Sequence, residues 1–105
     1  MKAALIVNPV GPDIDANLRS ILEMLNKAAD NGVELVLFPE AAITGLINND
    51  IPAHDIPLGQ PIPGPLTDIL SDLVEERKIY LAIGMLERES DRLYDSAILL
   101  TPSAK

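Results

Sequence analysis

The sequence predicts an α/β fold, a mixed β-sheet with helices on one face, and three observations predict it. Residues 3–7, 35–38 and 79–86 are short apolar runs closed by Asn8-Pro9, by Pro39 and by Glu87, as buried strands are. Residues 15–31 and 66–78 repeat apolar side chains at three- and four-residue spacing, the mark of one buried helix face. The two kinds of stretch alternate, beginning with a strand–helix–strand unit about as long as a βαβ crossover. Apolar strands of this kind need cover on both sides, which favours parallel pairing.

The elements follow in order. After the first strand, the breakers Asn8-Pro9-Val10-Gly11-Pro12 open a turn. Asp13 or Asp15 can then cap a helix, its carboxylate accepting the free N–H groups of the first turn. Leu18, Ile21, Leu22, Leu25, Ala28 and Ala29 form that helix's apolar stripe, and Gly32 is a natural stop. Leu35-Val36-Leu37-Phe38 is the second strand. Residues 48–65 are rich in Pro, Gly, Asn and Asp and read as a long loop, a kind that is often functional. Pro65 suits the first turn of the second helix, where a missing N–H costs nothing. Leu66, Ile69, Leu70, Leu73 and Val74 are the stripe of that helix. Residues 79–86 are a third strand, with Gly84 a bulge or a point of close approach. Residues 87–92 read as a charged turn, residues 96–100 as a fourth strand in a hairpin with the third, and residues 101–105 as a closing turn.

Composition narrows the function. The 105 residues are 48% apolar and 23% charged, ordinary for one small globular domain. The net charge is −8 and no run of Lys or Arg occurs, which argues against nucleic acid or an anionic membrane as partner. Phe38, Tyr80 and Tyr94 are too few and too scattered for base stacking. The chain has no Cys, so it holds no disulfide, thiolate metal site or cysteine nucleophile. The apolar start is too short for a secretory signal or a membrane span, and the cytoplasm is the expected compartment. No phosphate-cradling glycine motif is present. His54 is the only histidine and falls in the long loop, a poor basis for a Ser–His–Asp triad. Asp50, His54 and Asp55 make a polar loop rather than a tetrahedral metal set.

The most informative segment is Leu35-Val36-Leu37-Phe38-Pro39-Glu40-Ala41-Ala42-Ile43-Thr44-Gly45. Glu40 follows the second strand by two residues, and open α/β sheets bind ligands beyond the carboxyl ends of their strands. A carboxylate held there against apolar walls would be a stronger base and could act in general base catalysis. Equally, a glutamate in this place can be a solvated loop acid or a cap on the N–H groups that follow. Position alone leaves both readings open.

The same segment resembles the part of the nitrilase superfamily of carbon–nitrogen hydrolases that carries its catalytic glutamate, a strand ending in Pro-Glu with Thr-Gly a few residues on. Three further segments agree in order and spacing. The opening strand and helix, with Asn17-Leu18 near the helix start, resemble the family's beginning. The second helix with Ile79-Tyr80-Leu81-Ala82-Ile83-Gly84, and then Tyr94-Asp95-Ser96-Ala97, resemble the family's next helix and strands, the last as a Tyr-Asn-Ser-Ala segment. The chain departs from the pattern at Leu46, where an aromatic is common, at Asp95, where Asn is usual, and at Ala104, where a turn Gly is frequent.

The resemblance covers residues 1–105 and less than half of the usual family domain, so this chain is expected to be its N-terminal part. It implies that the fold is half of a four-layer α-β-β-α sandwich, in which two such sheets stack between helical layers. It implies hydrolysis of an amide, carbamoyl or nitrile substrate by a Glu–Lys–Cys triad without a cofactor. Glu40 would be the base, the Cys the nucleophile and the Lys the oxyanion partner. Lys105 stands too early to match that Lys. The chain alone is therefore expected to be inactive, and to seek a missing C-terminal segment or another copy of itself. The competing reading is a non-catalytic packing module; an unrelated acidic flavodoxin-like binding domain is disfavoured by the four segments in register.

Overall fold

The computed structural model describes residues 1–11, 13–44, 59–90 and 92–102. Its elements are β1 (Ala3–Leu5), α1 (Ile14–Asp30), β2 (Leu35–Leu37), α2 (Pro65–Arg77), β3 (Tyr80–Glu89) and β4 (Arg92–Leu100). The strands form one four-stranded sheet in the order β1-β2-β3-β4. The first three run parallel and β4 returns antiparallel beside β3, so the sheet is mixed as the sequence predicts.

Local signals set the helix ends. Asp13 is the cap of α1, its carboxylate accepting from the N–H groups of Asp15 and Ala16 at 3.0 and 3.3 Å. Just beyond α1, Gly32 takes a positive φ of 78°, which its missing side chain permits. Pro65 opens α2, and a reciprocal pair of bonds between Gly64 and Thr67 ties off its first turn. Lys78 ends α2 in the left-handed conformation, φ 58°. Arg77 reaches back to Asn26 and Asp30 of α1 and joins the two helices at the surface.

Side chains alternate across the sheet, and the two faces differ. Towards the helices stand Val36, Leu81, Ile83 and Met85, all nearly or fully buried, packed on Ile21, Leu25, Leu70 and Val74. On the opposite face Leu5, Leu37, Ala82 and Leu99 lie in one row across the four strands. In that row Leu5 is 75%, Leu37 37% and Leu99 62% exposed, with Val7 at 81% beside them. Both helices therefore serve one face, and the described residues leave the apolar row on the other open.

Two regions differ from the sequence reading by more than a single residue, the end of the first strand and the hairpin turn. The first strand ends at Leu5 rather than residue 7, although the Ile6 N–H still reaches the Leu37 carbonyl at 2.8 Å. The charged turn is also narrower than residues 87–92, because β3 continues to Glu89 and β4 begins at Arg92, opposite it. The extension has a physical cause. Gln60 lies beside the end of β3, donating to the Leu86 carbonyl at 3.0 Å and accepting from the Arg88 N–H at 2.9 Å. With β4 on its other side, the end of β3 is hydrogen-bonded along both edges and has no reason to fray. Asp50, His54 and Asp55 of the expected loop, with Gly45, Leu46, Ala104 and Lys105, lie outside the described residues.

Candidate active site

One edge of β3 organises the site. Its first residues pair with β2: Leu35 lies opposite Tyr80 and Leu37 opposite Ala82. Past the end of β2, the chain stays fastened to the same edge. The Phe38 N–H donates to the Ala82 carbonyl at 2.9 Å, the Ala42 N–H donates to the Gly84 carbonyl at 3.0 Å, and Thr44 Oγ1 accepts from the Leu86 N–H at 3.0 Å. From Ala82 to Gly84 is a step of two residues, whereas Phe38 to Ala42 is a step of four. The surplus is thrown out as a turn, Pro39-Glu40-Ala41, with Glu40 in its middle. Ala41 sits at φ 52° to close it, a left-handed conformation that costs a side-chain-bearing residue about 1–2 kcal/mol. Strain of that kind persists only where the surroundings over-determine it.

The surroundings do so. Asn17, buried on α1, donates from Nδ2 to the Ile43 carbonyl at 2.9 Å and exchanges two more bonds of 2.9 Å with Gly11. Asn8, buried just past β1, donates from Nδ2 to the Ala42 carbonyl at 3.2 Å. The segment after Glu40 is thus held by β1, α1 and β3 together, and Ala41 to Thr44 are all buried. The sequence marked Asn17 only through a family resemblance and read Asn8 only as a strand stop. A polar residue directly after an apolar strand, facing a second turn at a neighbouring strand end, is the signal that could have found Asn8.

Glu40 itself is exposed. It lines an open cleft of about 350 Å³ with Phe38, Ala82, Gly84, Asp95 and Ala97. Ala82, Gly84, Asp95 and Ala97 have the parity of the uncovered sheet face, so the cleft opens on that side. The fold therefore joins two segments that the sequence singled out separately, the turn at Glu40 and the strand at Asp95. The apolar enclosure expected around Glu40 is half built, with Phe38, Ala82 and Ala97 as walls and no cover among the described residues. Among the described residues no cluster of His, Asp and Glu could hold a metal ion, and no helix is long and apolar enough to cross a membrane.

The comparisons with known proteins bear on this geometry. The family model for carbon–nitrogen hydrolases matches residues 2–105. This chain belongs to the carbon–nitrogen hydrolase family. Among curated relatives, an aliphatic nitrilase of Sinorhizobium fredii (strain HH103) is 31% identical over 110 residues, which takes in 90% of this chain and 35% of the relative. A formamidase of Bacillus cereus (strain Q1) is 30% identical over 112 residues, 98% of this chain and 33% of the relative. The chain thus spans about a third of the length of these relatives. Solved structures share its fold. An amidase from Nesterenkonia sp. superposes with a TM-score of 0.74 at 21% identity, covering 97% of this chain and 38% of that one. The C. elegans NitFhit protein gives 0.81 at 15% identity, covering 95% and 24%. The nitrilase-superfamily resemblance read from the four sequence segments is therefore correct, and with it the α/β class.

Proposed function

We propose that Glu40 is the general base of an enzyme that hydrolyses a non-peptide carbon–nitrogen bond, in an amide, a carbamoyl compound or a nitrile. One observation carries the reading. The turn that holds Glu40 is the surplus loop at the carboxyl end of parallel strand β2, pinned on three sides and opening into a cleft, within a segment matched by the family model. The relatives' activities, nitrilase and formamidase, supply the substrate class. In this reading a cysteine thiol gives its proton to Glu40 and attacks the substrate carbon. With an amide, Glu40 then passes the proton to the departing nitrogen; with a nitrile it passes the proton to the nitrogen of a thioimidate, which takes up one water and loses ammonia to reach the same thioester. Water, deprotonated at the same carboxylate, then releases the acid from the thioester. Such covalent catalysis divides one difficult step into two easier ones and calls for no cofactor.

The chain contains no Cys. On this proposal residues 1–105 are the N-terminal part of a single hydrolase domain. The lysine and cysteine belong to residues beyond this segment, and the chain alone hydrolyses nothing. The uncovered face favours the same arrangement, since a second sheet laid on it would complete the four-layer sandwich and roof the cleft. That face also supports a second reading, in which the segment only packs against another copy of itself.

Glu40→Gln in the complete hydrolase separates the two. The amide keeps the shape and removes the proton acceptor. Turnover of simple amides, N-carbamoyl amines or nitriles is expected to fall about a hundredfold or more with folding intact, a typical loss for a general base. Near-normal turnover would remove Glu40 from the mechanism.

A further inference from the structure

We propose that Gly84 is the positioning residue of Glu40, and that the absence of its side chain sets where the Glu40 carboxylate stands. The inference rests on the reading of Glu40 as base and adds to it the device that aims it.

The evidence is steric and directional at once. Gly84 is buried in the middle of β3, with a φ that any residue could adopt, so backbone freedom does not explain a glycine there. Space does. A Cβ on Gly84 would stand 2.8 Å from the Glu40 Cα, 2.8 Å from the Ala41 N and 3.1 Å from the Pro39 carbonyl oxygen. All three are backbone atoms of the turn, and none can rotate away as a flexible side chain would. Meanwhile the Gly84 carbonyl accepts the Ala42 N–H at 3.0 Å, so the residue that makes room for the turn also fastens its far side. The turn cannot answer a methyl group by sliding along β3, because Phe38 and Thr44 are bonded to Ala82 and Leu86 on either side. It can only lift off the strand, carrying Glu40 with it. Ala41 is already left-handed, and little freedom remains to swing the carboxylate back. Gly84 and Glu40 also line the same cleft, so the displacement is read out where substrate would lie.

A methyl group at Gly84 needs several tenths of an ångström of clearance from each of those atoms. Misplacing a catalytic group by about 1 Å can cost roughly a hundredfold in rate. In the complete hydrolase Gly84→Ala is therefore expected to lower kcat about 10- to 100-fold while KM changes little. The decisive measurement is the double-mutant cycle with Glu40→Gln. If Gly84 acts through the carboxylate, Gly84→Ala has almost no further effect once Glu40 is Gln. An equal fold loss in both backgrounds would mean a packing role only and would overturn the proposal. So would an unchanged kcat in Gly84→Ala. If Glu40→Gln by itself keeps near-normal turnover, the base assignment falls, a result distinct from either of those.

Should Gly84→Ala fail to fold, Thr44→Val tests the same device without adding bulk, since it removes the hydroxyl that anchors the turn to Leu86. It should lower kcat in the Glu40 background and leave the Gln background unchanged, and equal losses in the two would again overturn the proposal. Amide exchange in the 105-residue chain gives a reading free of activity. The Ala42 amide should be protected in the parent chain, and rapid exchange there would show that the turn is not fastened to Gly84.

Discussion

The two faces of the sheet are built from the same kinds of residue and have different fates. Leu81 and Leu99 lie on neighbouring strands, β3 and β4, and point to opposite faces of the sheet. Leu81 is fully buried under the helices, and Leu99 is 62% exposed. Fully burying a leucine is worth about 1.5–3 kcal/mol, so a face with Leu5, Val7, Leu37 and Leu99 in the open forgoes several kcal/mol. That is comparable to the whole stability of a small domain. The difference teaches that the described residues cover one face of the sheet and leave the apolar row on the other open, which on the proposal above awaits a second layer. Glu40 stands on the open side, and on the same proposal a layer that buried Leu99 would also dry the cleft.

Paired truncations sharpen the contrast most. Leu81→Ala should cost the segment about 2–5 kcal/mol, as core deletions of that size do, whereas Leu99→Ala should stay within about 0.5 kcal/mol. Thermal or urea unfolding of the two variants measures both. Equal losses would mean that the exposed face is covered in solution. In the complete hydrolase the two costs should converge, because a second sheet would bury Leu99 as the helices bury Leu81.

A smaller effect tests the polar side of the comparison. Asn17 is 3% exposed and bonds Ile43 and Gly11 at once. Asn17→Ala takes this partner from the buried Ile43 carbonyl and releases Gly11, and is expected to cost about 1–3 kcal/mol. The Ile43 and Thr44 amide resonances should shift with it, since the turn after Glu40 loses its anchor on α1. Stability close to the parent's, with those resonances unmoved, would show that β3 and Asn8 hold the turn without help.

Much of this was legible in the sequence, for identifiable reasons. The helices were readable because Leu18, Ile21, Leu25 and Ala28 repeat at helical spacing behind an acidic cap, and Asp13 proved to be that cap. Gly84 could be marked as a point of close approach because a glycine inside an apolar strand packs nothing and must serve some neighbour. The identity of the neighbour was out of reach, since it depends on the register of Ala82, Gly84 and Leu86 against Phe38, Ala42 and Thr44. The end of β3 was misplaced because Glu87-Arg88-Glu89 looks like a turn by composition, and Gln60, far back along the chain, is what keeps it in the sheet. Periodicity also said that the strands were apolar on both faces. It could not say which face the two helices would take, because that choice is made by how α1 and α2 cross over the parallel strands.

On the proposal made above, residues 1–105 are the N-terminal part of a hydrolase sandwich, with a sheet face that requires cover. Sedimentation of the purified chain over a concentration series, with an apolar dye as reporter, tests it most directly. The account predicts dye binding at low concentration and self-association as concentration rises, because the uncovered row offers both an apolar surface and a nearby sheet edge for pairing. A monomer that stays monomeric at high concentration, melts cooperatively and binds no dye would contradict it.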